Sequence, residues 1–248
     1  MLMRVADELR LDAIYPELAG ARALVTGVSR AAGVDMARAL AEHRTRLAVA
    51  VVEPSEEIDA LTAHLAETAS ELAVLDGAAS TMSEAAAVAF AQGPAQLAFG
   101  GLDLVVNIIP ASASDLTRAA ERGDVEDFVA ATLLPATVAT RVYANRMRLT
   151  LTEGLVLNVL VAPAAHSGRE AALLGVLRAT LAAMTRTQAQ KWAEQGLRIN
   201  AVAPVAAGEE GGFVLGGEAD VAALTLYLAS RKGRGLSGHV FDASTGRG

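Results

Sequence analysis

The chain of 248 residues contains no cysteine, a single tryptophan and only two lysines, Lys191 and Lys232. The absence of cysteine excludes disulfide bonds, thiolate nucleophiles and cysteine-ligated metals. The four histidines are scattered along the chain without the spacing of zinc ligands. Neither lysine has a tyrosine four residues before it, so the sequence contains no Tyr-x-x-x-Lys pair.

Long apolar runs and clustered charge are also missing. Hydrophobic residues make up 52% of the chain, but no run approaches the roughly 18 apolar residues of a membrane-spanning helix. The net charge of −7 is spread along the sequence without an acidic tail or a basic cluster, which argues against nucleic acid and anionic membranes as partners. Residues 1–19 mix charges and lack the pattern of a secretory signal, so we expect a cytoplasmic protein.

Short β-branched runs alternate with alanine-rich segments of helical period. This alternation predicts a single α/β domain, a doubly wound parallel sheet of seven strands with helices on both faces. We expect the domain over residues 19–248, after an N-terminal arm of residues 1–18. The predicted strands are Ala21–Thr26, Leu47–Val52, Glu71–Leu75, Leu102–Ile109, Gly154–Val161, Leu197–Ala203 and His239–Asp242. The predicted helices are Gly33–His43, Ser55–Thr68, Ser80–Leu97, Val125–Arg148, Arg169–Gln195 and Glu218–Ser230.

A strand-to-helix turn follows the first predicted strand. It reads Thr26-Gly27-Val28-Ser29-Arg30-Ala31-Ala32-Gly33 and resembles the Thr-Gly-x-x-x-Gly-x-Gly motif of short-chain dehydrogenases/reductases, with alanine in place of the middle glycine. The resemblance implies a Rossmann-like fold that holds NAD or NADP, with the pyrophosphate at this turn. Gly27, Ser29, Arg30 and Gly33 are therefore candidate cofactor-binding residues.

Three further residues extend the resemblance to the adenosine end of the cofactor. Glu53, at the end of the second strand, is placed to accept hydrogen bonds from the ribose and to repel a 2′-phosphate, which favours NAD. Asp76 follows the third strand, where the family commonly places an aspartate on the adenine amine. Asn107 belongs to a segment like the family's Asp-x-x-Val-Asn. Arg30 would favour NADP by analogy with the family, although a solvated loop charge is its simpler interpretation.

The residues after Asn107 depart from the family. Its usual continuation is Asn-Ala-Gly, whereas this chain continues Ile108-Ile109-Pro110. Proline fixes φ and removes a backbone donor where the family has a flexible glycine. We therefore expect an altered pocket beside the adenosine ribose, partly filled by Ile109.

The catalytic positions depart further. Residues 196–204 resemble the family's Gly-Ile-Arg-Val-Asn-x-Val-x-Pro-Gly segment, and counting back from them aligns the family's lysine with Arg178 and its tyrosine with Leu174. The family's serine aligns with Val161 and its asparagine with Ala131. The resemblance therefore implies that all four catalytic positions are substituted. Leu174 has no titratable atom, Val161 cannot donate a hydrogen bond, and Arg178 keeps a charge without titrating usefully.

Two loops bear on any remaining chemistry. Residues 205–217 stand where the family has a helical substrate lid, and we interpret them as a short flexible loop that would shield a substrate poorly. His166, after the fifth strand, could titrate near neutral pH, but a plain surface position is the simpler interpretation.

The leading hypothesis is a catalytically impaired protein of this family that acts as a structural or regulatory subunit. The family commonly assembles through its two long central helices, here residues 125–148 and 169–195. We therefore expect a homo-oligomer, dimer or tetramer, or a hetero-oligomer with an active relative. Because fold does not carry function with it, two alternatives stay open. They are a divergent NAD(P)-dependent oxidoreductase of unknown substrate and a sensor that holds NAD without turnover.

Overall fold

A parallel sheet forms the centre of the computed structural model, which describes residues 14–77, 84–203 and 218–241. Its seven strands are β1 Arg22–Val28, β2 Arg46–Val51, β3 Glu71–Asp76, β4 Leu104–Pro110, β5 Leu155–Val161, β6 Arg198–Val202 and β7 Val240–Phe241. They lie in the order β3-β2-β1-β4-β5-β6-β7, and every neighbouring pair is parallel. The predicted seven-stranded, doubly wound α/β domain is confirmed.

Seven α-helices in the described ranges cover the two faces of the sheet. They are α1 Val34–Glu42, α2 Glu56–Thr68, α3 Glu84–Leu97, α4 Ala113–Arg122, α5 Val125–Leu149, α6 Gly168–Trp192 and α7 Glu218–Ala229. Because successive strand residues point to opposite faces, Val25 and Val106 pack towards α1, α2 and α7, whereas Leu24 and Val105 pack towards α3, α5 and α6. Apolar strand residues therefore pack against helices on both faces of the sheet.

Helix α4 is missing from the predicted elements, and its ends carry ordinary capping signals. The hydroxyl of Ser112 accepts a hydrogen bond from the Asp115 amide at 3.3 Å, which satisfies one of the amides that the first turn leaves unpaired. Gly123 ends the helix in the left-handed region, at φ +82°. The other elements differ from the prediction only at their ends, and the start of the predicted helix Ser80–Leu97 lies outside the described residues.

A chain of buried polar side chains crosses the sheet below its carboxyl edge. Thr26, Asn107 and Asn158 lie side by side on β1, β4 and β5. The Thr26 hydroxyl donates to Asn107 Oδ1 at 2.9 Å, and Asn107 Nδ2 donates to Asn158 Oδ1 at 2.9 Å. Thr140 on α5 donates to the same oxygen of Asn158 at 3.2 Å. These bonds fix the register at the point where the strand order reverses, which is where open α/β sheets bind ligands.

An ion pair stabilises the sheet at the amino ends of its strands. The guanidinium of Arg22 donates to both carboxylate oxygens of Asp103, at 2.9 and 2.7 Å, and the Arg22 amide donates at 2.7 Å. Burial alone would raise the pKa of Asp103, but the hydrogen bonds and charge of Arg22 outweigh it and hold that pKa below its ordinary value. The pair joins the starts of β1 and β4.

The described part of the N-terminal arm contacts the domain. Residues Pro16–Leu18 form a single 3₁₀ turn, Leu18 is buried, and the Glu17 carboxylate accepts a hydrogen bond from the Arg231 amide at 2.9 Å. Residues 1–13 lie outside the described ranges, so the boundary of the arm stays a prediction. No helix in the part of the chain that the structure describes is both long and apolar enough to cross a bilayer.

Candidate functional site

The turn after β1 is shaped by two glycines with positive φ. Gly27 has φ +79° and Gly33, the N-cap of α1, has φ +95°. A Cβ atom on Gly27 would lie 2.9 Å from the carbonyl oxygen of Ile108, and one on Gly33 would lie 2.6 Å from the Ile108 Cδ1 atom. Both positions therefore require glycine for conformation and for space. The turn of the predicted nucleotide site is present, and the side chain of Ile108 packs directly beneath it.

The amides of this turn are bonded within the turn itself. The Ser29 amide donates to the Ala32 carbonyl at 2.9 Å, and the Ala32 amide donates back to Ser29 at 3.2 Å. The Ala31 amide donates to the Ser29 hydroxyl at 3.2 Å. Arg30 is exposed on the outside of the turn. A phosphate held by these amides would have to replace bonds that the turn already makes.

A carboxylate lies at the N-terminus of α1. Glu218, the first residue of α7, accepts a hydrogen bond from the Asp35 amide at 3.2 Å. Burial raises the pKa of Glu218, although the amides of Gly33 and Asp35 act in the opposite direction. The amides at a helix N-terminus are where an anionic ligand would bind, and in this chain the Glu218 carboxyl group already accepts from one of them. Sequence reasoning missed this contact, which joins residues 183 positions apart.

A small apolar crevice opens at the carboxyl ends of β1 and β4, beside α5. Its volume is about 150 Å³, below the roughly 300–1,000 Å³ typical of small-molecule sites. It is lined by Thr26, Gly27, Val52, Gly77, Asn107, Ile108, Ile109, Pro110, Ala131, Thr132, Pro135, Ala136 and Ala139. None of these described lining residues carries a titratable side chain.

The three substitutions after Asn107 shape this crevice. Ile108 is buried on the α1 side of the sheet and Ile109 on the α5 side. Pro110 continues β4, paired with Val161, and is exposed. All three residues line the crevice, so side chains larger than the family's alanine and glycine narrow it.

The predicted adenosine-binding residues differ in their surroundings. Glu53 is exposed just beyond β2, within a residue of the crevice wall at Val52. Asp76 is the last residue of β3, and its side chain lies outside the described part of the structure. Asn107 is 5% exposed, and its amide group bonds to Thr26 and Asn158. The observed bonds of Asn107 support the sheet, and the cofactor roles of all three residues stay predictions.

The four positions aligned with the family's catalytic set do not come together in the crevice. Only Ala131 is among the described residues that line it. Val161 ends β5 and is half-buried, as is Arg178 on α6. Leu174 is 3% exposed and packs in an apolar cluster with Ile109, Leu160 and Ala203 among others. The aligned tyrosine position is thus filled by a buried aliphatic side chain, while the assignment of the four roles stays a prediction.

The loop after β5 is held by a capping box that sequence reasoning did not use. The Ser167 hydroxyl accepts from the Glu170 amide at 3.2 Å, and the Glu170 carboxylate accepts from the His166 amide at 2.6 Å and from the Thr117 hydroxyl at 2.8 Å. The His166 amide bond and then the Thr117 bond lower the pKa of Glu170. Ser-x-x-Glu at 167–170 is the signal that predicts such a cap. The His166 side chain is exposed and is not among the crevice-lining residues.

Comparisons with known proteins agree with this architecture. Residues 27–208 match the family model described as enoyl-(acyl carrier protein) reductase. No curated protein sequence gives a significant match. Among solved structures, a short-chain dehydrogenase/reductase from Serratia marcescens BCRC 10948 is 18% identical with a TM-score of 0.69, and the alignment covers 91% of this chain and 96% of that one.

Two similar structures contain nicotinamide nucleotides. A short-chain dehydrogenase from Burkholderia cenocepacia J2315, in complex with NADP, is 24% identical with a TM-score of 0.68, covering 91% of this chain and 96% of that chain. The NADH-dependent reductase A1-R′, complexed with NAD, is 19% identical with a TM-score of 0.69, covering 92% and 97%. At such identities these structures show a shared fold.

The family assignment depends on the sequence match together with that fold. The matched model spans well over half of the chain, including the glycine turn and all four positions aligned with the family's catalytic set. The strand order and the two-sided helix packing are those of the similar structures' fold class. The chain therefore belongs to the short-chain dehydrogenase/reductase family.

Proposed function

We propose that this protein is a catalytically impaired short-chain dehydrogenase/reductase that acts as a structural or regulatory subunit in the cytoplasm and holds NAD weakly, through its adenosine half. One observation carries the proposal: the crevice at the carboxyl ends of β1 and β4 has no titratable residue among its described lining. Carbonyl reduction requires a proton donor near the reacting oxygen, and general acid catalysis typically contributes about 10²–10⁴ in rate.

The residue that the resemblance aligns with the family's tyrosine, Leu174, carries no proton donor. Its side chain is 3% exposed in an apolar cluster, so the aligned tyrosine position offers neither a proton nor a path for water to supply one. Val161 cannot polarise a carbonyl, and losing such a donor typically costs a further 10²–10³, about 3–4 kcal/mol. Arginine is a poor proton relay, and Arg178 stands where the resemblance places the family's lysine.

The fit of a nicotinamide dinucleotide is partial. At the adenosine end, the crevice is small, but the exposed Glu53 beside it could accept hydrogen bonds from the ribose, and its carboxylate disfavours a 2′-phosphate, which favours NAD over NADP. At the pyrophosphate end, the Ser29, Ala31 and Ala32 amides bond within their turn and Glu218 accepts the Asp35 amide. The known complexes with NADP and NAD belong to similar proteins and make this cofactor class the one to test.

A subunit role is supported by exposed apolar side chains on the two long helices. Leu134 on α5 is 39% exposed and Val176 on α6 is 44% exposed. Single exposed apolar residues are common on any surface, so these two define the face to test and do not by themselves show an interface. We propose a homo-oligomer, or a hetero-oligomer with an active relative, formed through α5 and α6. Leu134→Glu with Val176→Glu should reduce the mass measured by light scattering, whereas Leu151→Glu, at a loop position 95% exposed, should not.

Binding and turnover are tested separately. The purified protein is titrated by calorimetry with NADH and NADPH, and NADH oxidation is followed with a panel of aldehydes and ketones. We expect weak NADH binding and still weaker NADPH binding. Glu53→Gln should reduce the difference between the two affinities. NADH oxidation should not exceed the rate measured without protein. NADH oxidation that saturates with one carbonyl compound would overturn the proposal, and tighter binding of NADPH would overturn the preference for NAD.

A further inference from the structure

A second and larger cavity lies near the amino ends of the strands, whereas the crevice lies at their carboxyl ends. It is an open cleft of about 580 Å³ between α3 and the last turns of α5 and α6, within the roughly 300–1,000 Å³ of small-molecule sites. Both long helices lead from here into the starts of β5 and β6. The cleft is therefore separate from the residues considered for nucleotide binding.

The lining of the cleft combines three cationic residues with apolar walls. Arg141, Arg146 and Lys191 line it together with Val142, Leu149 and Trp192. No acidic residue is among its described lining residues, although the whole chain has a net charge of −7. A local concentration of positive charge in an acidic protein attracts anions, and apolar walls add affinity for a hydrocarbon body.

Helix electrostatics account for only part of this charge. Arg146 and Lys191 occur in the last turns of α5 and α6, where cations complement the helix dipole. Arg141 lies two turns before the end of α5, outside the last turn where the dipole acts, and is exposed. The Nε atom of Arg146 is buried without a hydrogen-bond partner in the described structure, while its Nη2 atom donates to the Gly100 carbonyl at 3.2 Å. A buried donor of this kind is normally satisfied by a partner.

We propose that this cleft binds a small amphipathic anion, a carboxylate or phosphate monoester with a short hydrocarbon chain. The anionic head would pair with Arg141 and Lys191 at the rim, and the chain would pack on Val142, Leu149 and Trp192. The role proposed for the cleft is binding. This site does not depend on the proposed function of the crevice.

The only tryptophan of the chain reports on this cleft. Trp192 is 8% exposed, its indole donates to Gln188 Oε1 at 3.1 Å, and the Lys191 ammonium lies 5.5 Å from its ring centroid. An anion that pairs with Lys191 changes the electric field at the indole. Ligand binding should therefore shift the emission of Trp192.

The test titrates the full-length protein with octanoate, octyl phosphate, 1-octanol and acetate, following Trp192 emission and, in parallel, heat by calorimetry. We expect saturable binding of octanoate or octyl phosphate, and at least about tenfold weaker binding of octanol and acetate, which lack the charge or the chain. A response to octanoate alone or to octyl phosphate alone identifies the head group. Equal binding of octanol, or no saturable binding of either anion, would overturn the proposal.

Paired variants separate the site from general charge effects. Arg141→Gln with Lys191→Gln should weaken calorimetric anion binding at least about tenfold. Arg122→Gln with Arg231→Gln removes two exposed cations elsewhere and should leave binding unchanged. Unchanged binding in the first pair would overturn the proposal. Anion binding seen only in the Leu134→Glu, Val176→Glu variant would also overturn it, because a second copy would then cover the cleft in the wild-type protein.

Discussion

Replacement of Asn107 by alanine tests whether this residue supports the sheet or binds nucleotide. Asn107 is 5% exposed and makes two side-chain hydrogen bonds of 2.9 Å, one from Thr26 and one to Asn158. Each such bond contributes about 1 kcal/mol net, and the truncation also leaves a small buried cavity. We therefore expect Asn107→Ala to lower the free energy of unfolding by about 2–4 kcal/mol.

The assay is urea unfolding followed by circular dichroism, with two matched variants. Thr26→Val keeps the shape of the side chain and removes one donor, so it should cost about 1–3 kcal/mol. Thr132→Ala changes another residue of the crevice wall, whose hydroxyl donates to the Phe128 carbonyl of its own helix at 2.9 Å. It should cost less than about 0.5 kcal/mol, because alanine has the higher helix propensity.

Two outcomes would contradict this role of Asn107. If Asn107→Ala unfolds at the wild-type urea concentration while binding of adenosine monophosphate falls at least about tenfold, Asn107 is a nucleotide ligand and its bonds to the neighbouring strands are unimportant. A Thr26→Val cost as small as that of Thr132→Ala would contradict the network in the same way.

Three further predictions concern charge and the aligned catalytic positions. The pKa of Glu218 is raised in the folded protein, so protonated Glu218 stabilises the fold, and this stabilisation is lost as pH rises from the ordinary pKa of 4.5 through the folded-state value. Glu218→Gln should remove this pH dependence of the free energy of unfolding, measured by urea titrations at several pH values. The pKa of Asp103 is lowered in the folded protein, so its ion pair with Arg22 stabilises the fold above the ordinary pKa of 3.8, and this stabilisation is lost as pH falls. Asp103→Asn should lower the free energy of unfolding by about 1–3 kcal/mol at neutral pH and should reduce its dependence on pH under acidic conditions. Leu174→Tyr with Arg178→Lys should lower the urea concentration at the unfolding midpoint, because a hydroxyl enters an apolar cluster. The double variant should not oxidise NADH. Measurable turnover would show that position 174 faces a competent active site.

Local sequence patterns were sufficient for most of the fold. β-branched runs and alanine-rich helical periods predicted all seven strands and six of the seven described helices. Helix α4 was predictable too, because Ser112 and Gly123 are ordinary capping residues around apolar positions such as Leu116. The sequence therefore contains the capping residues that predict α4, although they were not used in the prediction.

The candidate site was harder to predict because its decisive contacts join distant parts of the chain. Thr26 and Asn107 are 81 residues apart, and Asp35 and Glu218 are 183 apart. Neither pair can be recognised without the strand register and the packing of α7 on α1. A sequence motif indicates which residues could reach a cofactor, but not whether their donors already bond elsewhere.

We propose that the adenosine end of the site is retained while the pyrophosphate and catalytic ends are not. The most direct measurement compares the calorimetric affinities of adenosine monophosphate and NAD⁺ for the purified protein. We expect both to bind weakly, and NAD⁺ to bind no more than about threefold tighter than adenosine monophosphate, a difference under about 1 kcal/mol. An NAD⁺ affinity at least about a hundredfold higher than that of adenosine monophosphate would contradict it, because the second half of the dinucleotide would then be held by the protein.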